Sequence, residues 1–276
     1  MNKINFSYAS DVEHNLAQRL IIKTIERVTG RKKLESLYKE YSKNKNDPQN
    51  FWTDILRVMN ISVLDKSNNK INIPKKGRLM VIANHPFGII DGLILCSIIS
   101  NVRSDFKIMT HETLKFLPQL EEYILPVDFS RKEKTTLKYN FRTAEKAKKH
   151  LENDGVLIIF PSGSVSVAQN LKSEAKDDNW KTFPAKLIHK TKTNVLPIYF
   201  DGKNGLLFHL FASKIKSSTL KYSTYIYETR KKIGKQIIIY SGEIIIYDDI
   251  SSLNDRNELT NYLKETTYNL KNKKKF

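Results

Sequence analysis

Leu79-Met-Val-Ile-Ala83-Asn84-His85-Pro86-Phe87-Gly88-Ile-Ile-Asp91-Gly-Leu-Ile94 is the stretch on which the fold turns. Five apolar residues form a buried-strand run that leads into an Asn-His pair, a rigid turn follows, and Asp91 opens a second apolar run. His85 and Asp91 are six positions apart. In a continuous helix that is about 600° of rotation, or roughly 240° net, so no single helix face carries both. A turn must bring them together. Pro86, which fixes φ, and Gly88, which permits positive φ, suit that task. An imidazole and a carboxylate so placed would stand at the carboxyl edge of a sheet, where α/β proteins do their chemistry. Strand-to-helix punctuation, with His85 in a loop and Asp91 as an N-cap, accounts for the same residues, and local pattern does not choose.

Outward from this block the chain alternates. Leu79–Ala83, Phe106–Met109, Ile124–Val127, Val156–Phe160 and Val195–Phe200 are short apolar or β-branched runs, with helical patterns over 92–101, 137–153 and 183–192 between them. The alternation predicts an α/β fold: a largely parallel mixed sheet flanked by helices, preceded by an N-terminal amphipathic helical segment. Gln236–Tyr240 and Glu243–Tyr247, joined by Ser241-Gly242, read as a hairpin or as one bulged strand. A closing helix over 254–270 is predicted, capped by Asn254 or Asp255, with Leu259, Leu263 and Leu270 inward. Residues 11–30 place Val12, Leu16, Leu20, Ile21, Ile25 and Val28 at helical spacing beside Arg19, Lys23 and Arg27. Such a helix can lie on anionic lipid or pack on its own domain. Phe51–Met59 reads as a second short amphipathic helix, its Phe51-Trp52 pair suited to a membrane interface or to a core. The polar stretch 42–48 separates the two, and the organisation expected is an N-terminal helical, membrane-contacting segment over 1–60 and a main domain over 61–276.

With 276 residues, 40% hydrophobic and 28% charged, the chain has the composition of a globular protein. The longest apolar run, 88–102, is short and carries Asp91, and the first residues lack the apolar core of a signal peptide. The lone cysteine, Cys96, lies in an apolar stretch and reads as a buried structural thiol. The six histidines have no metal-ligand spacing, so no metal is expected. A net charge of +18 calls for an anionic partner. No zinc-finger, RRM or KH pattern appears and the basic clusters do not alternate with aromatics, which disfavours nucleic acid and favours a membrane or lipid phosphate. The expected location is the cytoplasmic face of a membrane, peripheral or monotopic.

Two further strand ends have unusual content. Phe160-Pro161-Ser162-Gly163-Ser164-Val165-Ser166 places Pro, Gly and hydroxyls in one loop, whose amides can hold an oxyanion or phosphate or simply make a turn. Its spacing is not that of a nucleophile elbow. Val195-Leu196-Pro197 interrupts a strand with proline before the polar turn Asp201-Gly202-Lys203-Asn204, an arrangement that an edge strand would also show.

In series, Asn84-His85…Asp91, Phe129-Ser130-Arg131, Phe160-Pro161-Ser162-Gly163-Ser164 and Val195-Leu196-Pro197 resemble the blocks of the phospholipid/glycerol acyltransferase family. The resemblance spans 51 to about 270 and is closest to the hemolysin-like branch, which includes O-acyltransferases of ornithine-type and related amino-acid lipids. That branch carries His-Pro-Phe-Gly-x-x-Asp-Gly and a Trp-Lys stretch, matched here by Asp178-Asn-Trp180-Lys181. The His-to-Asp spacing is one residue longer than in the broad family. Ser162 and Val165 stand where that family has Glu and Arg, positions it uses for a glycerol phosphate acceptor. The departure points to a different lysolipid headgroup.

What the resemblance implies is acyl transfer from a thioester to the hydroxyl of a lysolipid. His85 would be the base and Asp91 its partner, with Asn84, Arg131, Phe160, Pro161, Ser162, Gly163, Ser164 and Pro197 binding substrate. The amides around Gly163 and Ser164 are expected to face an oxyanion. Acyl-carrier protein or coenzyme A would carry the acyl group as co-substrate, with no cofactor besides. A non-catalytic basic protein that binds membrane or nucleic acid, or an esterase that uses the same base on water, are the alternatives.

Overall fold

The structure, a computed structural model, describes residues 31–43, 50–67, 71–111, 120–128, 134–170, 172–206, 208–209 and 218–272. In chain order these form α1 (Arg31–Lys43), α2 (Phe51–Val58), β1 (Ser62–Asp65), β2 (Leu79–Ala83), α3 (Ile89–Ser100), β3 (Phe106–His111), β4 (Ile124–Val127), α4 (Lys134–Glu152), β5 (Val156–Ile159), α5 (Phe183–Thr191), β6 (Asn194–Asp201), α6 (Ser218–Lys232), β7 (Gln236–Ser241), α7 (Tyr247–Ile250) and α8 (Arg256–Asn269). The helix expected over 11–30 and the block 129–131 lie outside the described residues.

All seven described strands form one sheet in the order β1-β7-β6-β2-β5-β3-β4. The five from β6 to β4 are mutually parallel. Strand β7 runs antiparallel to β6, and β1 pairs parallel with β7. The sheet is therefore mixed and largely parallel, as expected. Central β2 shows why its run is continuously apolar. Leu79, Val81 and Ala83 enter the core on one face and Met80 and Ile82 the core on the other. The first core receives α1, α2 and α3; the second receives α4, α5, α7 and α8.

Phe51 and Trp52 belong to the core, 2% and 3% exposed. Phe51 packs edge-on against Tyr41, and Trp52 against Phe106 and Tyr123, so packing rather than a lipid interface explains this pair. Cys96 is buried. At the carboxyl end, Ser241-Gly242 makes no hairpin: the chain runs on antiparallel to β6 with one extra residue between Ser241, opposite Ile198, and Ile245, opposite Val195, as the bulged-strand reading expects. Strand β7 stops at Ser241, and the chain returns to β6 at a single antiparallel bridge, Ile245 to Val195. The interruption accommodates Pro197, whose ring would be 2.7 Å from a Cβ at Gly242 and whose carbonyl accepts the Gly242 N–H. Helix α8 starts where expected, with Asp255 accepting the amides of Asn257 and Glu258.

Candidate active site

Strand β2 ends at Ala83, and the next two side chains diverge in role. Asn84 is 1% exposed, and its amide bonds the backbone of β6 twice, donating to the Phe200 carbonyl and accepting the Phe200 N–H. It extends the β2–β6 ladder beyond the last paired residues. His85 instead leaves the sheet. Its backbone N–H donates to Asp177 Oδ1 and its carbonyl accepts the Ser166 N–H, while its ring stacks on Phe160 with centroids 3.9 Å apart.

The turn does what the spacing required. Gly88 adopts φ 78°, a conformation open to glycine, and a Cβ there would also touch Val165. Helix α3 then begins, with Asp91 in its first turn. Asp91 Oδ2 accepts three hydrogen bonds of 2.9 Å each, from His85 Nδ1 and from the amides of Phe87 and Gly88. Asp91 is not the N-cap, which is Gly88; it is the third residue of the helix, and its Oδ2 accepts two amides of the turn while it holds the imidazole. Asp91 is fully buried, and burial pushes its carboxyl above the ordinary value, against the pull of His85 and the two amides.

An oxygen already accepting two N–H groups faces Nδ1, so Nδ1 is the protonated ring nitrogen and Nε2 keeps its lone pair. The His85 side chain is 18% exposed, and Nε2 has no hydrogen-bond partner among the described residues. Such a ring can take a proton at Nε2 and share the resulting charge with Asp91.

Asp177 had no role in the sequence reading, yet it organises the site from beneath. Oδ1 binds the His85 N–H and the Ser166 hydroxyl, Oδ2 accepts from Trp180 Nε1 at 2.7 Å, and its own N–H donates to Tyr268 Oη. Burial raises this carboxyl also, with Ser166 and Trp180 opposing. Local sequence offered one hint, the neighbouring Trp180, whose indole N–H needs a partner when buried. Lys232 was missed as well. Its ammonium lies 4.1 Å from the centre of the Phe87 ring and donates to the Lys203 carbonyl. Burial depresses it, while Glu228 and Asp91 pull the other way.

The 160–166 loop meets His85 through Phe160 and Ser166. Much of its polarity is turned inward. Ser162 Oγ donates to the Ser164 carbonyl, and the Pro161 carbonyl accepts from Lys181 N–H. Of the two amides expected to face an oxyanion, that of Gly163 is committed to the Phe160 carbonyl, while that of Ser164 makes only a long 3.4 Å contact with Ser162 Oγ. Pro197 sits inside the sheet opposite Ile82, three residues short of His85. The structure thus brings His85, Asp91, Phe160 and Ser166 together, uses Asn84 and Pro197 within the sheet, and does not describe Arg131.

The sheet thus holds an imidazole against a buried carboxylate at the carboxyl end of a central strand, an arrangement suited to general-base chemistry. A family model described as acyltransferase matches residues 15–275, and the chain belongs to that family. A lyso-glycine lipid O-acyltransferase of Bacteroides thetaiotaomicron is 25% identical over 205 residues, covering 72% of each chain. A protein of the same name from Phocaeicola vulgatus is 24% identical over 205 residues, 72% of this chain and 70% of its own. Among solved structures, the 1-acyl-sn-glycerophosphate (LPA) acyltransferase PlsC of Thermotoga maritima shares the fold, with a TM-score of 0.51 and 16% identity over 82% of this chain and 77% of that one. No helix among the described residues is long and apolar enough to cross a membrane.

Proposed function

We propose that this acyltransferase moves a fatty acyl group from an acyl thioester to the hydroxyl of an amino-acid lysolipid. The observation that carries the reading is the His85–Asp91 pair at 2.9 Å, with no hydrogen-bond partner to Nε2 among the described residues. An alcohol is a poor nucleophile at neutral pH, so its proton must leave as its oxygen attacks. His85 Nε2 takes that proton while the alcohol oxygen bonds to the thioester carbonyl carbon. The tetrahedral intermediate then expels the thiolate, which recovers the proton from the imidazolium. Asp91 holds the ring and offsets its transient charge. The donor's carrier is acyl-carrier protein or coenzyme A, both anionic, and the net charge of +18 suits either of them as well as the anionic cytoplasmic face of a membrane.

The headgroup follows from two lines of support. The two relatives are named for a glycine lipid, an amino-acid lipid like the ornithine type that the sequence resemblance suggested. Ser162 and Val165, at the positions the broad family uses for glycerol phosphate, are 3% and 5% exposed and carry no charge. Glycine-type lysolipid is therefore the first acceptor to assay and ornithine-type the second. His85→Ala should lower transfer by about 10²–10⁴ while circular dichroism and the unfolding midpoint stay unchanged. Full activity in His85→Ala would overturn the mechanism, and thioester hydrolysis independent of added lysolipid would overturn the acyl transfer.

A further inference from the structure

Two side chains on α4 break the ordinary economy of the surface. Leu137 and Phe141 are 74% and 66% exposed, where no other large hydrophobic residue among the described ones exceeds 44%. Four positions apart on one helix, they stand one turn from each other on the same face, about 40° apart. Lys138 and Arg142, also exposed, make a parallel pair roughly 100° further round. Lys146 and Lys149 continue the exposed basic strip. The acidic residues exposed on the helix are Glu145 and Glu152, and Glu152 is paired with Lys148 at 3.2 Å.

The position of this face is fixed by hydrogen bonds. Thr143 Oγ1 donates to the Pro126 carbonyl, Asn140 bonds the backbone of Asp128 in both directions, and Thr136 Oγ1 donates to Asp128 Oδ2. Helix α4 therefore lies against the end of β4 with its first turns carried past the strand. Strands β4 and β2 end at the same edge of the sheet, since the strands from β4 to β2 are parallel neighbours. Leu137 and Phe141 thus project at the carboxyl edge, the edge at which His85 leaves the sheet.

We propose that this face of α4 docks on an anionic lipid bilayer, Leu137 and Phe141 entering the interfacial layer while Lys138 and Arg142 meet lipid phosphates. Charge complementarity selects the partner, because basic side chains beside an apolar ridge are what an anionic lipid surface attracts. A protein partner fits less well: a stable interface needs on the order of 800 Å² from each side, far more than a two-residue ridge offers. The inference rests on the lysolipid reading to the extent that a lipid acceptor must be met at the membrane.

The full chain is tested against phosphatidylcholine vesicles with and without phosphatidylglycerol. Leu137→Ser/Phe141→Ser should weaken binding to the anionic vesicles by at least about tenfold. It should leave acyl transfer unchanged to a short-chain lysolipid dissolved as monomers. Phe141→Trp should report directly, its emission shifting to the blue on vesicle binding against the constant signal of buried Trp52 and Trp180. Wild-type vesicle affinity in the double variant with unmoved Phe141→Trp emission would overturn the proposal. So would loss of binding to an acidic acyl-carrier protein with vesicle binding intact. If the wild type docks as described but transfers no acyl group to any lysolipid, the docking surface stands and the functional reading falls.

Discussion

Asp91→Asn separates the charge of the carboxylate from its geometry, because a single oxygen takes all three hydrogen bonds. An asparagine carbonyl placed where Oδ2 stands can accept from His85 Nδ1 and from the amides of Phe87 and Gly88 as before. Its NH₂ then falls at the Oδ1 position, a buried atom without a hydrogen-bond partner. Leaving that group unsatisfied costs about 1–3 kcal/mol, and removing a buried charge offsets it, so stability should stay within about 2 kcal/mol of wild type. Activity should not. With Nδ1 and Oδ2 at 2.9 Å, the charge centres of imidazolium and carboxylate lie roughly 4 Å apart, worth about 4 kcal/mol at an effective dielectric of about 20. A transition state with the proton half transferred forfeits about half of that, or roughly 30-fold in rate, and full transfer forfeits about 10³-fold. The assay is single-turnover acyl transfer beside urea unfolding, with Asp91→Ala as companion. Alanine leaves two buried amides unpaired and should destabilise by about 3–5 kcal/mol. Wild-type kcat in Asp91→Asn at wild-type stability would refute the electrostatic role. Equal losses of activity and stability in both variants would reduce Asp91 to a helix cap.

Two further outcomes concern Asp177, which bonds the His85 backbone, and the buried His209. In Asp177→Asn only one oxygen remains for two obligate donors, His85 N–H and Trp180 Nε1–H. Unfolding should become easier by about 1–3 kcal/mol, and kcat should fall by about 10–10² through misplacement of His85 with KM little changed. Wild-type kcat would show that the backbone bond does not position the ring. His209 is 7% exposed and accepts from Ala168 N–H at Nδ1 while Nε2 donates to the Asn204 carbonyl, an arrangement only the neutral ring allows. Burial accordingly lowers its pKa. Its contribution is complete above the unfolded value of about 6.5 and is lost as pH falls below it, because the unfolded chain binds the proton first. The wild type should lose more stability than His209→Gln between about pH 7 and pH 5.5, as read from urea midpoints; parallel losses would refute the assignment.

The site was legible where its parts are neighbours in sequence. His85, the turn and Asp91 form one block, and the six-residue interval already required the bend that Gly88 makes. Asp177 was illegible because it meets the His85 backbone across 92 residues, a contact that only tertiary packing creates. The hydroxyls of the 160–166 loop were visible, but their direction was not. Ser162 turns its hydroxyl to its own loop, and a turn and an anion cradle have the same composition. Strand β1 escaped notice because three of its four residues are exposed, which removes the alternation that marks a half-buried strand. Helix α1 escaped for a different reason. Leu34, Leu37, Tyr38 and Tyr41 make a helical stripe in it, but the cluster Arg31-Lys32-Lys33 at its start reads as a charged patch.

Helix α4 shows where periodicity stops being informative and geometry takes over. Leu137, Phe141, Ala144, Ala147 and Leu151 form one apolar stripe in the sequence, and a stripe of that kind predicts one buried face. The structure divides it. Ala147 and Leu151 are fully buried beneath the sheet's second core, whereas Leu137 and Phe141 are exposed. Nothing in the spacing marks the division, which falls between Phe141 and Ala147, where Thr143 bonds the Pro126 carbonyl of β4. From that point to the helix end the stripe is covered by the chain's own strands. Toward the helix start the same pattern continues with no described strand to cover it, so its burial needs a surface that the described residues do not supply. In a protein whose proposed acceptor is a lipid, and whose exposed apolar pair is flanked by Lys138 and Arg142, the anionic bilayer proposed above is the surface that fits.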